Sequence, residues 1–204
     1  MPLQPNLLER FLIRRGEIPG LLLDVAVPSF QFWALTAAME IGLFEELARE
    51  DGEPVTQAEL ARRTDASERG IDRLVQVLEP LGYLQTTAEG YRISESAADN
   101  LPIEDLPEFA RFFKFQMLSS EDATRAVRKA PEEGIIGWDP VRSGEIGRAY
   151  QTTMRWLAAQ STEEVVGKVD LPEEAERMLD GGGSHGLYTL EFCREYPDLT
   201  GSVL

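Results

Sequence analysis

The chain has 204 residues, of which 43% are hydrophobic, a composition typical of a globular protein rather than a disordered one. Its formal net charge of -16 would repel phosphates, which weighs against nucleic acid or an anionic membrane as the main partner. No apolar run is long enough to span a membrane, and residues 20–27 lack the features of a signal peptide, so the sequence predicts a cytoplasmic protein.

The charged and sulfur-containing residues narrow the possibilities further. Lysine occurs only at Lys114, Lys129 and Lys168, whereas acidic residues are abundant. Such a surface is typical of proteins from salt-loving organisms, although an ordinary acidic protein is the alternative. Because Cys193 and His185 are the only cysteine and histidine, we expect no disulfide within the chain, no Cys/His metal site and no histidine-based triad.

Helical spacing dominates the beginning of the chain. An amphipathic helix is predicted before a turn at 19–20, from the positions Leu7, Leu8, Phe11 and Leu12. A second helix is predicted to begin at Pro28-Ser29 and to end at Gly42, with one face formed by Trp33, Ala37, Ala38 and Ile41. A short further helical piece is expected from Leu43, Phe44 and Leu47.

The next segment predicts a winged helix. Thr56 and Glu59 form a capping box at the start of a helix ending near Arg63, and Ser67 can cap a second helix. That second helix has core-facing spacing at Ile71, Leu74, Val75 and Leu78. Two short extended runs, 83–86 and 91–93, predict a hairpin that turns at 89–90. Helix, turn, helix and hairpin in this order are typical of a winged helix.

Winged helices often bind DNA through the second helix. Here its outward positions are Glu68, Arg69, Asp72, Arg73, Gln76 and Glu79. Three acids against two arginines are unfavourable for contacts with phosphates, so a structural or dimerisation role is favoured over DNA binding.

Residues 102–161 are then predicted to be helical, with an acidic loop at 131–137 before Trp138. Apolar positions recur at helical spacing in this segment, at Phe109, Phe112, Phe113, Phe115, Ile146, Tyr150, Met154 and Leu157.

The pattern changes after a charged linker at 170–176. Residues 177–180 predict a strand that leads into the glycine-rich run 181–186, then a helix at about 187–196 and a second strand at 199–204. Strand, glycine loop, helix and strand are the opening unit of a doubly wound nucleotide-binding fold. The glycines permit positive φ and let a ligand lie against the backbone, although a plain strand-to-helix turn would look the same.

The string from Met178 to Leu204 resembles the first motif of class I S-adenosylmethionine-dependent O-methyltransferases that act on small molecules. Those enzymes also have an N-terminal winged-helix dimerisation domain, similar to the stretch from Glu40-Ile41-Gly42 to Gly82-Tyr83-Leu84. The resemblance implies S-adenosylmethionine as cofactor, a homodimer formed by the N-terminal domain, and a small hydroxylated substrate. It implies that the cofactor is bound by Asp180, Gly181, Gly182, Gly183, Ser184 and Gly186, with Ser184 standing where many members have glycine.

Two further residues match the family's segment that lines the substrate cleft, where an aromatic residue is followed four positions later by methionine. They are Tyr150 and Met154, and the alternative is that both are plain core residues. His185 occupies a variable position of the loop, and the family's catalytic base comes from further downstream. The methyl acceptor and the atom that is methylated are not specified by these motifs.

The fold class implied is a mainly helical winged-helix domain followed by the first β-α-β unit of a Rossmann-like domain. We expect a dimerisation domain at 1–100, a helical connecting region at 101–168 and the start of the cofactor domain at 169–204. The resemblance thus predicts a methyltransferase fragment that binds S-adenosylmethionine weakly or not at all and does not catalyse alone. A helix-turn-helix DNA-binding regulator and a non-catalytic dimerisation protein are the alternatives.

Overall fold

A computed structural model describes residues 15, 20–49, 52–118, 127–128, 144–172 and 174–204. The chain divides into two compact units, Met1–Ala110 and Arg111–Leu204. The helix predicted at Leu7–Leu12 and the acidic loop predicted at 131–138 lie outside the described residues. Among the helices that are described, none is long and apolar enough to cross a membrane.

The described part of the first unit consists of helices and one short hairpin. Its elements are α1 (Gly20–Glu40), α2 (Leu43–Ala48), α3 (Gln57–Arg63), α4 (Glu68–Leu78), β1 (Leu84–Thr86), β2 (Tyr91–Ile93), α5 (Glu95–Asn100), a 3-10 turn (Ile103–Asp105) and the beginning of α6 (Leu106–Leu118). The two strands pair antiparallel, with Gln85 opposite Arg92. The predicted order of helix, turn, helix and hairpin is therefore confirmed.

Side-chain caps define where α3 and α4 begin. The Thr56 hydroxyl accepts a hydrogen bond from the Glu59 N–H at 3.3 Å, and the Ser67 hydroxyl accepts one from the Gly70 N–H at 3.0 Å. Each cap satisfies a backbone donor that the first helical turn leaves unpaired. The hydroxyl caps of Thr56 and Ser67 are confirmed, whereas the Glu59 carboxylate, predicted to complete a capping box, accepts from Arg62 and Arg63 instead.

Apolar side chains of this unit form one core. The predicted stripe of α4 is buried at Ile71, Val75 and Leu78. It packs with fully buried side chains from the neighbouring elements, which include Leu43, Phe44, Leu47, Leu60 and Leu84. Burial of such apolar side chains is the main favourable term in folding.

Helix α1 corrects the predicted start at Pro28-Ser29, because it begins at Gly20 and contains Pro28. A proline inside a helix removes one backbone hydrogen bond and crowds the carbonyl four residues earlier, so it is usually found at a helix start, yet this helix continues through Pro28. The Ser29 hydroxyl donates to the Val25 carbonyl at 2.7 Å within this stretch. Trp33 was predicted on the inward face with Ala38, yet Trp33 is 49% exposed while Ala38 is buried.

The second unit contains the rest of α6 and a parallel pair of strands. Its further elements are α7 (Gly144–Ala159), α8 (Thr162–Lys168), β3 (Arg177–Asp180), α9 (Leu187–Glu195) and β4 (Thr200–Val203). The strands pair in parallel, with Arg177 opposite Thr200. Helix α9 connects them, as the sequence predicts, and contributes Phe192 to a small core. That core also contains Val166 and Leu199.

Candidate functional site

A tight loop joins the end of β3 to the start of α9. Gly182, Ser184 and Gly186 have φ values of 84°, 49° and 69°, a left-handed conformation that glycine adopts easily and serine rarely. The Gly186 N–H donates to the Gly183 carbonyl at 2.7 Å, which closes the turn before the helix. On the other side, the Gly182 N–H donates to the Leu204 carbonyl at 3.0 Å and so ties the loop to the end of β4.

Asp180 is the last residue of β3, and its carboxylate lies beneath this loop. The Thr189 hydroxyl of α9 donates to Asp180 Oδ2 at 2.8 Å. A Cβ atom added to Gly183 would lie 2.4 Å from the same oxygen, so the backbone of Gly183 passes directly over the carboxylate. Only glycine fits at position 183 without a shift of the backbone or of Asp180.

An open cavity of about 460 Å³ lies between this loop and α7. Its lining consists of Tyr150, Met154, Leu157, Ala158, Asp180, Gly182, Gly183, Ser184, His185 and Tyr188. The structure thus brings together the two residues expected to contact substrate and four of the six expected to bind cofactor. The other two are adjacent: Gly186 is buried where α9 begins, and Gly181 is exposed next to Asp180.

Several residues that were not predicted from the sequence contact the loop or the residues that line the cavity. The Ser184 hydroxyl donates to Gln151 Oε1 on α7 at 2.9 Å. Tyr188 shares a hydrogen bond of 2.9 Å with Ser161 through their hydroxyl groups. One signal could have indicated Tyr188, namely its position in the first turn of the helix after the loop. Gln151 is adjacent to Tyr150, but its contact with a residue 33 positions away has no local signal.

His185 has a structural contact within the loop. Its Nδ1 accepts a hydrogen bond from the Leu187 N–H at 3.2 Å, one of the free donors at the start of α9. The ring therefore helps to begin α9 as well as lining the cavity.

The loop backbone is accessible to a ligand. At Gly181 and Gly182 a Cβ atom would meet no heavy atom within 4 Å, so the space above the backbone is open. A cavity of this size, with apolar walls from α7 and a few polar groups at one end, has the character of a small-molecule site. Among the described residues, no group of three or more His, Cys, Asp or Glu side chains could hold a metal ion.

Comparison with known proteins supports this interpretation of the fold. Residues 29–99 match the family model of the O-methyltransferase dimerisation domain. Over 197 residues, the chain is 30% identical to 3-hydroxy-5-methyl-1-naphthoate 3-O-methyltransferase of Streptomyces sahachiroi, covering 91% of this chain and 55% of the relative.

Solved structures share the architecture at lower sequence identity. The mitomycin 7-O-methyltransferase MmcR is similar with a TM-score of 0.75 and 21% identity, over 94% of this chain and 59% of that protein. CalO1, a methyltransferase in calicheamicin biosynthesis solved in its SAH-bound form, gives a TM-score of 0.65 and 21% identity, over 98% and 60% of the two chains. The chain thus spans a little more than half the length of the relatives that it matches.

Proposed function

Because the chain contains an O-methyltransferase dimerisation domain and is related to an O-methyltransferase over most of its length, we propose that it is part of an S-adenosylmethionine-dependent O-methyltransferase. One observation carries the proposal. The glycine loop after β3 and the pair Tyr150 and Met154 line the same cavity, although about 30 residues separate them in sequence.

In this proposal the cofactor lies along the open backbone of the loop 181–186, and Asp180 places a carboxylate at the start of this loop. When bound, S-adenosylmethionine supplies a methyl group activated by the positive sulfur. The residues of the chain bind and orient it: Gly182 and Gly183 permit close approach, and Ser184 fixes the loop to α7 through Gln151. An acidic residue beside the loop favours a ligand that carries a cationic amine.

Tyr150 and Met154 are proposed to contact a small hydroxylated substrate. They lie one turn apart on α7, and the Tyr150 ring packs edge-on against Phe112 with ring centroids 5.5 Å apart. A flat apolar wall of this kind suits a ring-shaped substrate better than a charged one. We assign no catalytic base, since His185 already uses Nδ1 to accept the Leu187 N–H.

The dimerisation domain, expected at 1–100, is proposed to join two copies of the chain in the cytoplasm. Helix α1 exposes Val25, Phe30 and Trp33 by 60%, 71% and 49%, and exposed apolar surface of this kind is typical of protein–protein contacts. The whole chain carries a net charge of -16, so its winged-helix unit is not expected to bind nucleic acid. The excess of acidic residues is consistent with a protein that works at high salt.

Titration with S-adenosylhomocysteine tests the proposal. We expect the amide resonances of 180–188 to shift in NMR spectra, even when affinity is only millimolar. Asp180→Asn should weaken binding, whereas Asp198→Asn, at an exposed position outside the cavity lining, should leave it unchanged. Absence of any shift in the loop at millimolar ligand would overturn the assignment.

A further inference from the structure

Among the buried threonines that the structure describes, Thr189 differs from the others in the hydrogen bond that it makes. The hydroxyl groups of Thr36, Thr64, Thr153 and Thr162 all donate to the carbonyl four residues earlier. This is the usual behaviour of threonine in a helix. The Thr189 hydroxyl, by contrast, donates across to Asp180 Oδ2 at the end of β3.

Packing fixes the Thr189 side chain in this orientation. Thr189 is only 6% exposed. A Cβ atom added to Gly201 on β4 would lie 2.2 Å from Thr189 Cγ2, so the methyl group fills the space that glycine leaves there. With the methyl group against β4, the hydroxyl group is directed towards β3. Gly201 therefore provides the space in which the Thr189 methyl group packs, and the Thr189 hydroxyl group donates a hydrogen bond to Asp180.

We propose that Thr189 is a positioning residue that fixes the Asp180 carboxylate for the ligand of the glycine loop. The inference rests on the proposed function, because it takes Asp180 to face that ligand. Thr189 donates a hydrogen bond to Oδ2, and the nearby backbone of Gly183 leaves no room for a side chain beside this oxygen. The carboxylate therefore has one orientation before a ligand arrives. Preorganisation of this kind avoids the cost of ordering a charged side chain on binding.

Two substitutions separate the hydroxyl group from the shape of the side chain. Thr189→Val keeps the volume and the methyl contact with Gly201 but removes the donor. Thr189→Ser keeps the donor but removes the methyl group. The full chain would be studied by NMR without ligand, by hydrogen exchange of the loop amides, and by titration with S-adenosylhomocysteine. If Thr189→Val does not fold, Thr189→Ala against Thr189→Ser gives the same comparison.

We expect Thr189→Val to move the amide resonances of 180–186, to speed exchange in the loop and to weaken binding about tenfold, the effect of losing one charge-assisted hydrogen bond. Thr189→Ser should restore the wild-type loop spectrum and bind within about twofold of wild type. The proposal is wrong if Thr189→Val has the wild-type loop spectrum, or if Thr189→Ser is as impaired as Thr189→Val.

The spectra recorded without ligand test whether Thr189 fixes the loop, and this test does not depend on whether the chain binds S-adenosylhomocysteine. If the wild-type chain shows no response to S-adenosylhomocysteine, the cofactor assignment fails. Thr189 would then be judged on the loop resonances and exchange rates alone. A loop that loosens in Thr189→Val and recovers in Thr189→Ser supports the positioning role whatever the ligand is.

Discussion

Individual glycines of the loop have different requirements, although they look alike in the sequence. Gly183 has no room for a side chain, because a Cβ atom there would lie 2.4 Å from the Asp180 carboxylate and 2.8 Å from Val203 Cγ1. Gly181 has no heavy atom within 4 Å of that position and no positive φ. The glycine run as a whole could be recognised from sequence, but this distinction depends on where Asp180 and β4 lie.

A matched pair of substitutions tests the distinction. Gly183→Ala should destabilise the chain by about 1–3 kcal/mol, as overpacking typically does, and abolish the response of the loop to S-adenosylhomocysteine. Gly181→Ala should change stability by less than about 0.5 kcal/mol, as expected for an exposed site. Denaturant unfolding followed by circular dichroism measures both variants. Equal losses in the two variants would show that the loop is not packed as described.

Glu59 is the residue with the clearest expected dependence on pH. Side-chain hydrogen bonds from Arg62 and Arg63 lower the pKa of Glu59 from 4.5 to about 2. Because the pKa is lower in the folded state, the stability it contributes is fully present above the unfolded pKa of about 4.5. That contribution is lost as pH falls through about 2.

Glu59→Gln should therefore be less stable than wild type at neutral pH, and the difference should shrink between about pH 4.5 and pH 2. Denaturant titrations at a series of pH values measure this difference, and NMR of the Glu59 carboxyl carbon gives its pKa directly. A difference in stability that stays constant down to pH 2 would contradict the assigned ion pairs. The effect should also decrease in high salt, because both arginines reach solvent.

At the level of elements, local signals were reliable where a cap or a turn residue specifies geometry. Thr56 and Ser67 begin α3 and α4 as predicted, and the glycine run lies between a strand and a helix. The sequence failed where the outcome depends on distant packing. Pro28 indicated a helix start, yet α1 runs through it, and the exposure of Trp33 depends on which face the rest of the unit covers.

The candidate site shows the same limit. The glycine-rich loop is predicted because its residues are contiguous, whereas Tyr150 and Met154 are identified only through resemblance to a family. Leu157 and Ala158 are not predicted as cavity residues because nothing local marks which face of a helix lines a cavity, whereas the position of Tyr188 in the first turn after the loop is a local signal.

The contact between Ser184 and Gln151 allows a prediction at this scale. Ser184 has an unfavourable left-handed φ of 49°, and its hydrogen bond to Gln151 on α7 offsets part of the cost of this conformation. We expect Gln151→Ala and Ser184→Ala each to speed hydrogen exchange of the loop amides severalfold, as the loss of a bond worth about 1 kcal/mol would. The double variant should be no faster than either single variant. Additive effects in the double variant would show that the two side chains act independently.

At the scale of the whole molecule, net charge and exposed apolar surface have opposite effects on the association of two copies. Each chain carries a net charge of -16, so two copies repel one another at low salt. The exposed apolar residues of α1 favour association, and this contribution is not weakened by salt. A dimer held in this way should become tighter as salt screens the like charges. An interface built on ion pairs would show the opposite dependence.

Phe30 and Trp33 are the residues on which the dimer is expected to depend. They lie three positions apart in α1 and are 71% and 49% exposed, so they share one face of the helix. Large aromatic residues at the centre of an interface often cost 2 kcal/mol or more when truncated. Replacing both with serine should therefore weaken the dimer by roughly two orders of magnitude or more. Sedimentation velocity at tens of micromolar, at low and at high salt, measures this change.

The matched control is Leu190→Gln, which alters a similarly exposed apolar residue of α9 and should sediment like wild type. A wild-type chain that remains monomeric at high salt would remove the proposed dimer, and a dimer unaffected by the double substitution would place its interface away from this face of α1.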